Sequence, residues 1–156
     1  MYLEEIIDNL KPAYKKHNFS SLNFNSRQCT NGCVFFSIKG KKHNGNNFIK
    51  EAIKNGAKTI ISDKKKEGYT NSILYLHSKN PRSLMAHAAT KFYRNKPNNL
   101  VAVTGTNGKS SIVNFYYQIL RLNKLKCSTI GTLGVSSDSI NFETNNTTPN
   151  SILLNK

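Results

Sequence analysis

The sequence predicts an α/β fold, and three observations carry that reading. Apolar runs of strand length, "VFFSI", "KTIIS" and "SILYLH", alternate with segments whose apolar residues recur every three or four positions. Proline and glycine mark most of the changeovers, at Pro12, Gly40, Gly56, Pro81 and Pro97. Past the middle, "LVAVTGTNGKSSIVNF" runs from an apolar stretch through two glycines into a helical pattern, the order of a β-α unit.

Each element has its own justification. "YLEEIIDNLK" has the periodicity of a short helix, closed by Pro12. "SLNFNSRQCTNGCVFFSIKG" reads as loop, then a strand over Val34 to Ile38, then an exit at Gly40. "NNFIKEAIKNGA" predicts an amphipathic helix capped by Asn46 or Asn47. Phe48, Ile49, Ala52 and Ile53 form its apolar face and Gly56 ends it. "KTIIS" and "SILYLH" are further strands, with "DKKKEG" as a solvated turn between them. "NPRSLMAHAATKFYRNKP" predicts a helix with Pro81 in its first turn, ending before Pro97. Leu100 to Val103 reads as a buried strand. A helix follows Lys109, with Ile112, Val113, Tyr116, Tyr117, Ile119 and Leu120 on one broad face, and "CSTIGTLG" is the next strand. "YRNKPNN" is the expected domain boundary, and no internal repeat appears.

The glycine turn carries the chemistry. Gly105 and Gly108 let main-chain N–H groups approach a ligand without a Cβ in the way. Strand, turn and helix N-terminus together make an anion site. Lys109 would add a positive charge near the β- and γ-phosphates of ATP, and the Ser110 hydroxyl could ligate Mg²⁺. The general phosphate-loop pattern asks for a glycine four residues ahead of the Gly-Lys pair, and Val103 stands there.

Composition constrains the alternatives. The 156 residues hold 23 Lys+Arg against 8 Asp+Glu, a net charge of +15, which suggests a polyanion partner. The lysines are spread along the chain and no aromatic-interleaved basic patch forms, so nucleic acid is not the expected partner. Cys29, Cys33 and Cys127 make neither a disulfide framework nor a zinc site, and buried or incidental thiols are expected. The acidic "MYLEEIIDNL" start and the lack of a long apolar run point to a cytoplasmic protein with no membrane partner.

"VAVTGTNGKSS" resembles the ATP loop of the Mur ligases, which add amino acids to UDP-linked muramoyl peptides of bacterial cell-wall precursors. "FNSRQCTNGCVFFSIKGKKHNGNNFIKEAIKNGA" is similar to the family's uridine-binding domain, where D-S-R and G-x-x-x-D-G precede a helix ending in G-A. "STIGTLG" resembles the strand after the loop helix, and "NNTTPNSILL" the T-T-P-x-x-x-x-L segment that meets the muramoyl peptide. The combination is most like the members that add the third amino acid, meso-diaminopimelate or L-lysine. The resemblance implies a small N-terminal uridine-binding α/β domain over residues 1–94. The first β-α-β unit of a P-loop ATP-binding central domain would then occupy residues 95–156.

The same resemblance implies the site residues. Gly105, Thr106, Asn107, Gly108, Lys109, Ser110 and Ser111 match the ATP loop, with Lys109 catalytic and Ser110 on the metal. Phe24 and Ser26 match positions contacting the uridine, and Lys41, Lys42 and His43 the segment beside it. Asn146, Thr147 and Thr148 match contacts to the muramoyl dipeptide. Asn25 and Asn44 depart from the family's aspartates, whereas Ser110 and Ser111 keep the hydroxyls of its threonines.

In the family, ATP phosphorylates the substrate carboxylate and the incoming amine attacks the acyl phosphate. Mg²⁺ and the loop lysine offset the charge at the transferred phosphoryl. No acidic residue lies between Glu67 and Asp138, and the family's metal-binding glutamate and amino-acid-binding C-terminal domain have no counterpart before Lys156. The expectation is an N-terminal, monomeric segment of such a ligase, inactive alone. The alternatives are a non-catalytic UDP-sugar binder, a basic nucleic-acid module, or a folylpolyglutamate synthase, which shares the loop and lacks a uridine domain.

Overall fold

The structure is a computed structural model describing residues 1–40, 43–94, 96–143 and 149–156. It divides into two compact units, Met1–Asn95 with Asn155–Lys156, and Lys96–Leu154.

The first unit is built on a five-stranded sheet. Its strands are β1 (Ser21–Asn23), β2 (Cys33–Phe36), β3 (Ala57–Ser62), β4 (Gly68–Thr70) and β5 (Ile73–His77). They lie in the order β1-β2-β3-β5-β4, parallel except for β4, which pairs antiparallel with β5. A parallel strand covered on both faces needs a continuous apolar run, and all four residues of β2 are buried. Alternation along β2 sends Cys33 and Phe35 to one face, where they pack with Cys29, Ala52, Ala57, Ile60 and Ile73.

Helices α1 (Pro12–Lys15), α2 (Ile49–Lys54) and α3 (Pro81–Phe92) complete the unit. Proline opens α3 as expected, and the Asn80 side chain caps it by accepting from the Ser83 N–H at 3.0 Å. The expected cap of α2 moves upstream. Asn44, not Asn46 or Asn47, caps a 3-10 turn over Gly45–Phe48 that leads into α2.

Two readings of the N-terminal half change. The helix expected before Pro12 is a single 3-10 turn, Leu3–Glu5, and Pro12 begins α1 instead of closing a helix. Leu3, Ile6 and Ile7 are buried, so the periodicity reported which side chains go inside. It did not report length, because Ile6 already leaves helical backbone angles and Asn9 has a φ of 56°. Strands β1 and β4 were not anticipated. Each has three residues and lies at a sheet edge, too short for alternation to register.

One core position invites a test. Thr59 in β3 is 0% exposed and its hydroxyl has no hydrogen-bond partner among the described residues. A buried unpaired hydroxyl is destabilising, so Thr59→Val should stabilise the chain by about 1 kcal/mol. Denaturant unfolding checks this, and a lowered midpoint would mean the hydroxyl is engaged.

The second unit holds α4 (Lys109–Leu122), a three-stranded antiparallel sheet of β6 (Ser128–Gly131), β7 (Gly134–Ser137) and β8 (Asn141–Phe142), and most of α5 (Ser151–Asn155). Helix α4 and strand β6 fall where the sequence puts them. Leu100 to Val103, expected as a buried strand, has no ladder partner among the described residues, and Leu100 is 86% exposed. Strand identity depends on pairing, and β6, the strand expected beside this segment, pairs among the described residues with β7 alone. No residue of α4 is buried, and Ile112, Phe115, Tyr116, Ile119 and Leu122 are all exposed.

Candidate nucleotide and substrate sites

The loop from Gly105 to Ser111 runs from residues 101–104, which carry no regular secondary structure, into the first turn of α4. Gly108 is the N-cap and sits at φ 77°, a left-handed conformation that suits glycine. The first intrahelical bond runs from the Ile112 N–H to the Gly108 carbonyl at 3.0 Å. The N–H groups of Lys109, Ser110 and Ser111 therefore precede the helical ladder and point out of the helix end. Among the described residues nothing beyond the chain neighbours lies within 4 Å of where a Gly108 Cβ would stand. Lys109 curls back over the loop, donating to the carbonyl oxygens of Gly105 and, at 3.0 Å, Thr106. An anion at the helix end would lie beside this ammonium group, so the residues present fit a polyphosphate. For Mg²⁺ they offer the Ser110 hydroxyl alone. No group of three or more His, Cys, Asp or Glu residues that could hold a metal occurs among the described residues.

The first unit gathers its candidate residues at the C-terminal ends of its parallel strands. Phe24, half-exposed, follows β1, and Ser26 opens a 3-10 turn over Ser26–Gln28. Asn25 caps that turn by accepting from the Arg27 N–H at 3.1 Å. Asn44 does the same after β2, accepting from the Asn46 N–H at 3.0 Å. Both asparagines present the side-chain oxygen that an aspartate would, so the two departures from the family pattern preserve the turns.

Ser26 is only 5% exposed. Its hydroxyl donates to Glu51 Oε2 at 2.5 Å, and its carbonyl accepts from Asn55 Nδ2 at 2.9 Å. Glu51 and Asn55 were not singled out from sequence. Their spacing of four along α2 and its C-cap, away from the apolar face, was the available signal. Ser26→Ala should lower stability by about 1–2 kcal/mol by leaving the Glu51 carboxylate without this donor. Thermal unfolding tests it, and an unchanged midpoint would mean that water replaces the hydroxyl.

His43 is exposed, with its ring edge-on to Phe48 at 6.3 Å between centroids. Its carbonyl accepts from the Gly40 N–H at 2.8 Å. Gly45 follows because nothing larger fits: a Cβ there would stand 2.5 Å from the Ile38 nitrogen. Lys41, Lys42, Asn146, Thr147 and Thr148 lie outside the described residues.

A cavity of about 190 Å³ opens beside these loops, lined by Ser37, Ile38, Lys39, Asp63, Lys79, Asn80, Pro81 and Arg82. It stands at the carboxyl ends of β2, β3 and β5, where ligands of parallel α/β sheets bind.

Comparison with known proteins matches both halves. Residues 18–93 match the family described as "Mur ligase family, catalytic domain", and residues 103–156 match the "Mur ligase middle domain". The chain belongs to the Mur ligase family. A curated relative from Rickettsia rickettsii, named UDP-N-acetylmuramoyl-L-alanyl-D-glutamate--2,6-diaminopimelate ligase, is 41% identical over 127 residues, covering 81% of this chain and 26% of its own length. One of the same name from Clostridioides difficile is 38% identical over 140 residues, 88% of this chain and 28% of the relative. The chain thus spans about a quarter of the length of these Mur ligases.

Solved structures agree on the fold. A structure of a UDP-N-acetylmuramoyl-L-alanyl-D-glutamate--2,6-diaminopimelate ligase superimposes with a TM-score of 0.74 at 23% identity, over 99% of this chain and 32% of that one. The MurF ligase of Thermotoga maritima, solved in complex with ADP, gives a TM-score of 0.54 at 31% identity, over 65% of this chain and 23% of that one. The α/β class expected from the sequence is the one these Mur ligase structures share. No helix among the described residues is long and apolar enough to cross a membrane.

Proposed function

We propose that these residues carry the uridine-binding and ATP-loop segments of a Mur ligase. The ligase would add meso-diaminopimelate or L-lysine to UDP-N-acetylmuramoyl-L-alanyl-D-glutamate. The observation that carries this reading is the Gly105–Ser111 loop, with Gly108 left-handed at the end of α4 and Lys109 folded over it. The relatives' names favour diaminopimelate as the added residue.

In this reading residues 1–94 form the uridine-binding domain and 95–156 the start of the ATP domain. The N–H groups of Lys109, Ser110 and Ser111 bind ATP phosphates, joined by Gly105, Thr106, Asn107 and Gly108 of the same loop. Lys109 moves its ammonium group from the Gly105 and Thr106 carbonyls to the γ-phosphate. A Mg²⁺ held by Ser110 and phosphate oxygens would supply charge neutralisation during transfer. Phe24, Ser26 and His43, with Lys41 and Lys42, take the uridine end of the substrate, and Asn146, Thr147 and Thr148 its dipeptide. Lys39, Lys79 and Arg82 line the strand-end cavity with one carboxylate, Asp63, which accepts from Asn46 Nδ2 at 2.8 Å, and the positive excess suits a diphosphate. A monomer working in the cytoplasm accords with substrates that are free nucleotides.

Two measurements test this. Calorimetry with the UDP-muramoyl dipeptide should show binding to the 156-residue chain. A chimera in which this chain replaces the matching segment of the Rickettsia rickettsii ligase should release phosphate from ATP with the dipeptide and diaminopimelate. Binding with an inactive chimera would favour a non-catalytic UDP-sugar binder, and the absence of both would remove the ligase reading.

A further inference from the structure

Outside those sites, the structure holds a second chemically suggestive pair. Cys29 follows the Ser26–Gln28 turn, and Cys33 begins β2. Between them, "TNG" makes a tight turn in which the Cys33 N–H donates to the Thr30 carbonyl at 3.0 Å and Gly32 takes a φ of 80°. The Gly32 N–H donates to the Gly56 carbonyl at 2.9 Å, which holds the turn against the end of α2. Local hydrogen bonds thus bring the two thiols together, with Cys33 Sγ and Cys29 Sγ 3.7 Å apart. Both are buried in the apolar cluster with Phe35, Ala52 and Ile60, Cys29 at 6% exposure and Cys33 at 0%.

We propose that Cys29 and Cys33 are a reversible disulfide site, oxidised in place by a small peroxide such as hydrogen peroxide. The inference does not depend on the ligase reading. A disulfide needs its sulfurs about 2 Å apart, so a small movement shared by two short side chains closes the gap. The pair is also chemically unequal. The hydrogen bond between the two sulfurs draws the Cys33 thiol down to about 7, opposed by burial and assisted by Ser21, Thr30 and Asn23. The same hydrogen bond pushes the Cys29 thiol up. In this proposal Cys33, the thiol drawn down, acts as the nucleophile, and Cys29, its sulfur 3.7 Å away, as the resolving thiol.

The step balances. The Cys33 thiolate attacks one peroxide oxygen, the O–O bond breaks, and the other oxygen leaves as water after taking a proton, giving a sulfenic acid. Cys29 sulfur then attacks the sulfenyl sulfur. The S–S bond forms, the S–O bond breaks, and a second water leaves with the Cys29 proton. Two thiols are oxidised to one disulfide and one peroxide is reduced to two waters. The bond would tie the Ser26–Gln28 turn covalently to β2.

The test treats the 156-residue chain with hydrogen peroxide at equal concentration, then unfolds, alkylates and digests it with trypsin. The peptide Gln28–Lys39 carries both cysteines. The expected result is that this peptide becomes lighter by two hydrogens and loses both alkyl groups together, before Cys127 is oxidised. Dithiothreitol should restore both sites. In Cys29→Ser, Cys33 should instead be trapped as a sulfenic acid by dimedone; because the wild-type peptide carries the reading, misfolding of that variant would not rescue a negative result. Three outcomes would each overturn the proposal: both thiols still alkylated when Cys127 is oxidised, disulfides only between chains, or Cys33 passing irreversibly to sulfinic acid without a crosslink.

Discussion

Lys109→Ala, made in the chimera with the Rickettsia rickettsii ligase, is expected to lower ATP-driven ligation by about a hundredfold or more. The scale is that of removing one preorganised charge from a phosphoryl-transfer site. Lys109 is the first residue of α4, and its ammonium group rests on the carbonyls of Gly105 and Thr106. From there it reaches any phosphate on the exposed first-turn N–H groups. Without it, charge building on the transferred phosphoryl would lose the one side-chain cation of the loop. The loss should fall on kcat more than on the KM for ATP, since the N–H groups still hold the ground-state phosphates. Lys109 is exposed and its hydrogen bonds stay within the loop, so the thermal midpoint should move little. The 156-residue chain by itself is expected to show no turnover with or without Lys109. Near-normal kcat in the Lys109→Ala chimera would remove the lysine from the mechanism.

Gly56→Ala is expected to cost about 3 kcal/mol of stability or more, a large share of a small domain's total. Two separate penalties combine. Gly56 has a φ of 105°, closed to alanine without strain. A Cβ there would also stand 2.7 Å from the Asn31 nitrogen and 2.8 Å from its Cα, both main-chain atoms in the turn between the cysteines. Relief requires that turn to move away from the junction of α2 and β3. That would break the hydrogen bond from the Gly32 N–H and disturb the thiol pair. Urea unfolding of both proteins measures the cost, and a loss below about 1 kcal/mol would mean the turn yields readily.

What the sequence displayed was chiefly what is local. Pro81 announces α3 because a first-turn proline acts locally, and the glycine-lysine loop is legible because its chemistry is contiguous. The end of α2 at Gly56 was equally plain. The ring of contacts around Ser26 was not, because Glu51 and Asn55 come from another element and meet it only once the sheet has formed. The Leu100 to Val103 segment illustrates the reverse. Its apolar pattern is strand-like, but strand identity depends on partners, and no partner pairs with it among the described residues. The N-terminal turn is a third case, where burial of Leu3 and Ile6 imitates the period of a longer helix.

The short edges of the five-stranded sheet bear on whether another chain could extend it. β1 and β4 offer three residues each, too little ladder for another chain to extend. Lys64, Lys65 and Lys66 stand just before β4, all exposed, with the Lys66 ammonium 3.7 Å from the centre of the Tyr75 ring. Their like charge repels a second copy approaching along that edge. Part of the net charge of +15 would then oppose self-association, and a lysine-rich surface need not advertise a polyanionic companion. Selection against stickiness would favour such lysines whatever reaction the protein took part in.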